Sequence, residues 1–162
     1  IAGALEGFTG VKDRLEPIAV IDGVAYVNDT TATAPLATAA AVDALAGQPV
    51  RLLAGGADNG LDPRPLATAV AAHRPVPSVF LFDGTATPRL DAALRSAGIE
   101  PAGPFGSMAD AVDAARTGAT PGETILLSPG CASFGLFVDE FDRGERFRRH
   151  VLALAEQAEA PA

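Results

Sequence analysis

Short apolar runs that alternate with helix-like segments are the feature that most constrains the fold of this chain. Runs such as Val50–Ala54, Ser78–Phe82 and Thr124–Ser128 are largely apolar throughout, which is typical of parallel strands covered on both faces. The segments between and after them carry helix start and stop signals, and we expect helices at Pro35–Ala46, Pro65–His73, Thr87–Ala97, Ser107–Thr117 and Asp139–Ala158. This order predicts an α/β fold: a three-layer, Rossmann-like domain with a mainly parallel sheet of about five or six strands.

The beginning of the chain departs from this alternation. Ile18–Ile21 and Val24–Asn28 are apolar runs separated by Asp22-Gly23, which predicts an antiparallel hairpin near the N-terminus. A length of 162 residues fits one domain. We place that domain at residues 17–158, with a linker or the end of a preceding element at 1–16 and a tail at 159–162.

Composition narrows the class of protein. The net charge is −8, with 12 basic and 20 acidic residues, which argues against a nucleic-acid partner or an anionic membrane surface. A single cysteine excludes an internal disulfide and favours a reducing, cytoplasmic location. No apolar run is long enough to span a membrane, and no signal peptide is visible. Because the chain opens with Ile1 and not Met, we expect a fragment or a processed product.

Polar clusters follow three of the predicted strands. They are Asn28–Thr33, Gly55–Gly60 and Ser128–Phe134. Parallel strands open their carboxyl ends on one edge of the sheet, where ligands of such folds bind, so we expect the three clusters to meet there. Each cluster also has a structural explanation, because Asn-Asp-Thr-Thr suits a helix cap and Gly-Gly suits a turn.

Several kinds of chemistry have no support in the chain. The phosphate-binding pattern G-x-x-x-x-G-K-[ST] is absent, and no G-x-G-x-x-G follows a strand. No spacing of His, Cys and carboxylates fits a metal site. We interpret Cys131 as a small buried thiol, because His73 and His150 lie in predicted helices away from the strand ends. We therefore predict neither a catalytic residue nor a metal site here.

Four segments together resemble the C-terminal domain of the Mur ligases. The segment Gly7–Glu16 is similar to the stretch that joins the central and C-terminal domains of that family. Asn28–Thr33 is similar to its Asn-Asp-Ser-Lys-Ala-Thr motif, and Gly55–Gly60 to its Gly-Gly-x-Asp-Lys/Arg-Gly loop. Ser128–Phe134, followed by Phe141–Gly144, is similar to its Ser-Pro-Ala-x-Ala-Ser signature and the Phe-x-x-Arg-Gly after it. The resemblance covers nearly the whole chain, in the same order.

The resemblance implies a monomeric, cytoplasmic ligase of three domains, of which this chain would be the last, with residues 1–16 ending the central ATPase domain. Its branch that adds D-glutamate to UDP-N-acetylmuramoyl-L-alanine in peptidoglycan synthesis is the most similar. ATP and Mg²⁺ would be bound mainly by the central domain, and this fragment alone would be inactive. Activation of the peptide carboxylate as an acyl phosphate would precede attack by the amino group of the amino acid.

The resemblance also assigns roles to individual residues. Those expected to contact the amino acid are Thr33, Asn59, Ser133, Phe134 and Phe141. Those expected at the nucleotide are Arg14, Asp29 and Asn28. Asp29 would bind through ribose hydroxyls, and Asn28 would support the loop. Arg143 is expected to brace the signature loop. The Gly144 that follows it is costly inside a helix, by about 1 kcal/mol, which indicates close packing or a special role at that point.

Two positions depart from the family pattern. Thr31 stands where a Lys is common, and Asn59 stands where a Lys or Arg usually meets the glutamate side chain. Either another residue, such as Arg64 or one outside this chain, supplies the positive charge, or the amino acid differs. Two alternatives therefore stay open: a Mur-like ligase for L-glutamate or another acidic amino acid, and a non-catalytic α/β binding module.

Overall fold

The computed structural model describes residues 11–160, so residues 1–10 of the expected linker and the last two residues of the expected tail lie outside the described part. The strands are β1 (Glu16–Ile21), β2 (Val24–Asn28), β3 (Val50–Gly55), β4 (Ser78–Phe82), β5 (Ala102–Phe105) and β6 (Thr124–Leu127). The helices are α1 (Pro35–Ala44), α2 (Arg64–Ala72), α3 (Thr87–Ser96), α4 (Met108–Arg116) and α5 (Glu140–Glu159).

These strands form one sheet in the order β1-β2-β6-β3-β4-β5. Only β1 runs antiparallel to its neighbour, and the other four pairings are parallel. The mainly parallel sheet of about five or six strands is therefore confirmed. Since β2 to β6 all point the same way, the segments that follow them emerge at one edge, which we call the carboxyl edge.

Helices cover both faces of the sheet. Leu52 and Leu126 point to one core, which they share with α1, α2 and α3. Their sequence neighbours Leu53 and Leu127 point to the other core, with α4 and α5. Adjacent residues of one strand thus enter opposite cores, which explains why these strands are apolar throughout. The three-layer architecture is confirmed.

The N-terminal hairpin is also as predicted. Asp22 and Gly23 connect β1 and β2 and have φ angles of 51° and 79°. A two-residue hairpin turn needs the left-handed region at such positions, which Asp tolerates and Gly adopts freely. The hairpin adds β1 to the sheet as an edge strand beside β2.

Differences from the predicted elements are few. The predicted helices are all present, with ends that move by one or two residues, and Ser107 caps α4 through the N–H of Asp110 as expected. Strand β5 was not predicted, because Ala-Gly-Pro-Phe has no β-branched residue and contains Gly and Pro, which are rare in strands. It pairs only with β4, at the edge of the sheet. None of the helices in the described residues is long and apolar enough to cross a membrane.

Candidate functional site

The three polar clusters meet at the carboxyl edge, as predicted. We call Asn28–Thr33, Gly55–Gly60 and Ser128–Phe134 the first, second and third loops. The N–H of Gly130 donates to the carbonyl of Ala32 at 2.8 Å, which joins the first and third loops. Ala57 and Ala132 exchange backbone hydrogen bonds of 2.8 and 3.1 Å, which join the second and third loops. Backbone bonds thus hold the loops after β2, β3 and β6 side by side in one continuous edge.

Close backbone approach explains the Gly-Gly pair of the second loop. A Cβ atom on Gly56 would lie 2.5 Å from the carbonyl oxygen of Ala132. Gly56 also has a φ angle of 138°, which L-residues rarely adopt. No side chain larger than hydrogen fits between the second and third loops, so this glycine sets their spacing.

The first loop is built on a buried asparagine. The side chain of Asn28 is fully buried, and its Nδ2 donates to Asp13 Oδ1 at 2.9 Å. Its Oδ1 accepts the N–H of Thr30 at 3.1 Å. These bonds show Asn28 shaping the first loop, while its place in a nucleotide site stays a prediction.

Thr31, where the family commonly has Lys, has a structural partner in this chain. Its hydroxyl donates to the carbonyl of Asp13 at 2.9 Å, and its N–H donates to the same oxygen at 3.2 Å. Asp13 also accepts a bond from Arg148 of α5. No local sequence pattern indicates this role of Asp13, because the turn around it has positive φ angles at two residues other than glycine, 63° at Asp13 and 43° at Leu15.

A hollow of about 300 Å³ lies where Arg14 meets this first loop. Its polar lining comes from Arg14, Asp29 and Thr31, and its apolar lining from Leu15, Ala32, Ala37, Ala40 and Ala41. Arg14 and Asp29, both expected at the nucleotide, are therefore brought together at one concavity. Asp29 is held by the N–H of Leu15 at 3.1 Å and by the hydroxyl of Ser128 at 2.7 Å, and its burial raises the pKa of its carboxyl. Sequence reasoning missed Ser128 as a partner, although it begins the signature motif.

Of the residues expected at the amino acid, Thr33, Asn59, Ser133 and Phe134 lie in the three loops, and Phe141 lies in the first turn of α5. The side-chain amide of Asn59 donates to the carbonyl of Thr33 at 2.6 Å, so Asn59 ties the first and second loops together. Ser133 is buried, and no hydrogen bond between described residues uses its hydroxyl. Phe134 and Phe141 are 66% and 58% exposed, which leaves both rings uncovered at the surface.

A buried arginine links two of the loops to the last helix. Arg143 is fully buried in α5, and its Nη1 and Nη2 donate to the carbonyls of Cys131 and Thr30 at 3.2 and 2.8 Å. Its Nε donates to the Thr30 hydroxyl at 3.0 Å. Burial lowers the pKa of Arg143 to about 10. The expected bracing role is confirmed.

Gly144 makes this contact possible. A Cβ atom there would lie 2.6 Å from Thr30 Cγ2 and 2.9 Å from Asp13 Oδ1. Close packing against the first loop therefore explains a glycine inside a helix, as the sequence indicated.

The described residues contain neither a reactive cysteine nor a cluster of metal ligands. Cys131 is buried, which raises the pKa of its thiol to about 11, so it is not a nucleophile at neutral pH. His73 bonds to the carbonyl of Gln48 and His150 to Asp113, both away from the three loops. Within residues 11–160 no cluster of three His, Cys or carboxylate side chains could hold a metal ion.

A larger hollow on the described part of the chain is separate from this site. It measures about 540 Å³, and its lining includes the start of α4, Phe137 and Arg146. None of the residues expected at the amino acid or the nucleotide lines it. Size alone therefore does not locate the site, which is defined by where the loops converge.

Comparison with known protein families agrees with this geometry. A family described as "Mur ligase, glutamate ligase domain" matches residues 13–131, which include the first two loops and the start of the third. The chain belongs to the Mur ligase family. The resemblance deduced from the motifs is thereby confirmed.

Curated Mur ligases align with nearly the whole chain. It is 51% identical over 153 residues to UDP-N-acetylmuramoylalanine–D-glutamate ligase of Roseiflexus sp. (strain RS-1), covering 93% of this chain and 32% of that protein. It is 43% identical over 151 residues to the ligase of the same name from Symbiobacterium thermophilum, covering 91% of this chain and 32% of that protein. The chain thus spans about a third of the length of these Mur ligases.

Solved structures of Mur ligases share its fold. A murein peptide ligase from Psychrobacter arcticus superposes with a TM-score of 0.63 at 19% identity, covering 99% of this chain and 33% of that one. MurF ligase from Thermotoga maritima, solved in complex with ADP, gives 0.53 at 16% identity, covering 93% and 34%. At these identities the likeness concerns the fold alone.

Proposed function

We propose that this chain is the amino-acid-binding domain of an ATP-dependent, amide-forming ligase that adds D-glutamate to UDP-N-acetylmuramoyl-L-alanine in peptidoglycan synthesis. The observation that carries the proposal is the convergence of the three motif loops at one edge, joined by the Gly130–Ala32 and Ala57–Ala132 backbone bonds. The names of relatives up to 51% identical supply the substrate. The other domains of a longer ligase would bind the UDP-sugar and most of ATP and Mg²⁺.

The hollow beside the first loop fits one end of a nucleotide. The guanidinium of Arg14 is suited to a phosphate, and the alanine wall from α1 is suited to an apolar ring or sugar face. Each oxygen of Asp29 accepts one bond within the protein, and a carboxylate oxygen can accept a second, here from a sugar hydroxyl. ATP would supply the phosphoryl group that activates the acceptor carboxylate.

The remainder of the edge fits the amino acid. The hydroxyls of Thr33 and Ser133 can donate to a carboxylate, and the exposed rings of Phe134 and Phe141 can cover the aliphatic part. Arg143 and Gly56 do not need to contact the ligand, because they hold the loops, whereas Asn59 both ties two loops together and is placed at the amino acid. The task of this domain is then to fix the amino group beside the activated carboxylate, which supplies much of the rate enhancement in a reaction between two bound substrates.

A substrate panel tests the proposal. The full-length ligase that carries this chain is assayed for phosphate release with ATP, UDP-N-acetylmuramoyl-L-alanine and a series of D- and L-amino acids. Turnover with D-glutamate is expected. Preference for L-glutamate or another acidic amino acid would favour the Mur-like alternative, which Thr31 and Asn59 motivate. If none of the amino acids in the panel led to phosphate release, a non-catalytic binding module would be favoured.

A further inference from the structure

A dicarboxylic amino acid poses a charge problem at this edge, if the proposed function holds. Asp29 and Asp58 bring negative charge to the first and second loops, and Thr31 and Asn59 are neutral. Two carboxylates cannot be held among these groups without a cation, because a desolvated anion needs a charged or well-placed donor. Arg143 is fully buried and bonded to backbone carbonyls, so it is not accessible to a ligand.

A narrow crease of about 10 Å³ separates the second loop from α3 and from the third loop. Asn59 of the second loop, Cys131 of the third loop and Pro35 at the start of α1 line it, so it borders two of the loops and the helix that follows the first, close in sequence to Thr33 and Ser133. Arg89 of α3 also lines it, and no other basic residue in the described part of the chain does. The crease admits no more than a water-sized group, so a ligand would contact Arg89 from the outer rim.

Arg89 has the hydrogen-bonding capacity that such a contact needs. Its Nη1 donates to both oxygens of Asp58, at 3.1 and 3.0 Å. Its Nη2 makes only a long contact of 3.4 Å to the carbonyl of Leu61, and no described residue accepts a bond from Nε. The Nε–Nη2 edge of a guanidinium presents two parallel N–H groups, a geometry that suits a carboxylate. This edge of Arg89 is nearly unused.

Asp58 positions Arg89 rather than cancelling it. The N–H of Asp58 donates to the hydroxyl of Thr85, and Asp58 Oδ1 accepts the N–H of Gly60, so the carboxylate is fixed within the second loop. The arginine side chain is 51% exposed in this pair. A held but accessible guanidinium loses less conformational entropy on binding than a free one.

We propose that Arg89 is a specificity-determining residue, whose Nε–Nη2 edge binds the side-chain carboxylate of the acidic amino acid. Arg64 is the matched comparison. It begins α2, just after the second loop, and pairs with Asp62, yet its side chain is 82% exposed and it does not line the crease. Each arginine pairs with a nearby aspartate, but only Arg89 lines the crease between the second and third loops.

The test uses the full-length ligase and the variants Arg89→Gln, Arg89→Lys and Arg64→Gln. We expect Arg89→Gln to raise the KM for D-glutamate by about 10- to 100-fold, as loss of a charge-assisted hydrogen bond predicts. The KM for ATP should stay unchanged, and so should the Ki of D-glutamine, whose side chain carries no charge. Arg89→Lys keeps the positive charge but loses the two parallel N–H groups of the guanidinium. Its KM for D-glutamate should therefore lie between those of the wild type and Arg89→Gln. Arg64→Gln should behave as the wild type.

The outcomes separate this inference from the proposed function. Wild-type turnover with D-glutamate and an unchanged KM in Arg89→Gln would overturn the role of Arg89 alone. Equal weakening of D-glutamate and D-glutamine would also overturn it, since that result points to a disturbed loop. Absence of any turnover with acidic amino acids in the wild type would overturn both.

Discussion

Gly56 offers the sharpest test of how the edge is assembled, through the substitution Gly56→Ala. The added methyl group would lie 2.5 Å from the carbonyl oxygen of Ala132, and its obstacle is backbone, which cannot rotate away. Relief requires the second and third loops to separate by at least half an ångström, at the point where Ala57 donates to that same oxygen at 2.8 Å. Overpacking of this kind costs about 1–3 kcal/mol, and the φ of 138° adds about 1 kcal/mol for an L-residue.

Gly60→Ala is the matched control for this substitution. Gly60 lies in the same loop with a φ of 74°, but a Cβ atom there would meet nothing within 4 Å. It should cost about 1 kcal/mol, from the backbone conformation alone. Urea unfolding of both variants, followed by far-UV circular dichroism, gives the two free energies of unfolding by linear extrapolation.

We therefore expect Gly56→Ala to be destabilised by about 2–4 kcal/mol and to lose more stability than Gly60→Ala. In the full-length ligase it should also raise the KM for the amino acid, because the second loop moves away from the third. Equal losses in the two variants would refute the argument, since they would mean that the contact between Gly56 and Ala132 carries no energetic weight.

Two further substitutions address the functional residues. Asp29→Asn should leave the free energy of unfolding at neutral pH equal or higher, because burial raises the pKa of this carboxyl and its charged form is disfavoured in the fold. This free-energy cost of the charged carboxylate is present above the folded-state pKa and is absent below the ordinary carboxyl value of about 4. The stabilities of wild type and variant should therefore converge in acid unfolding experiments. A variant that is less stable than the wild type at neutral pH would contradict this. The same variant should raise the KM for ATP. Ser133→Ala should raise the KM for the amino acid by about tenfold or more, with little effect on that for ATP, and equal effects in steady-state kinetics would place Ser133 outside the amino-acid pocket.

Local patterns predicted the fold well where each one had a single physical solution. Asp22-Gly23 between two apolar runs leaves few options besides a hairpin, and Ser107 three residues before Asp110 is a helix start. Continuous apolar runs required cover on both faces and hence the three layers. Strand β5 escaped prediction because its pairing with β4, and not its own residue preferences, makes it a strand.

The location of the site was predictable from the sequence, but its hydrogen bonds were not. Parallel strands bring their carboxyl ends together whatever the loops contain, so the meeting of the three clusters followed from the topology. The bonds from Thr31 to Asp13 and from Ser128 to Asp29 span 18 and 99 positions of the chain. They depend on loop conformations that no local pattern specifies. Arg89 escaped notice for the same reason, because its link to the second loop crosses from another helix.

Accessibility divides the motif residues into two groups with different expected behaviour. Asn28, Gly56 and Arg143 are buried, and their partners lie within the protein, so their substitution should lower stability and activity together. Phe134 and Phe141 expose their rings, and little of the fold rests on them. Substitution of either should change ligand binding while leaving the free energy of unfolding nearly intact. The family motifs therefore contain both residues that hold the loops in place and residues that are free to contact a ligand. Only the structure distinguishes the two groups.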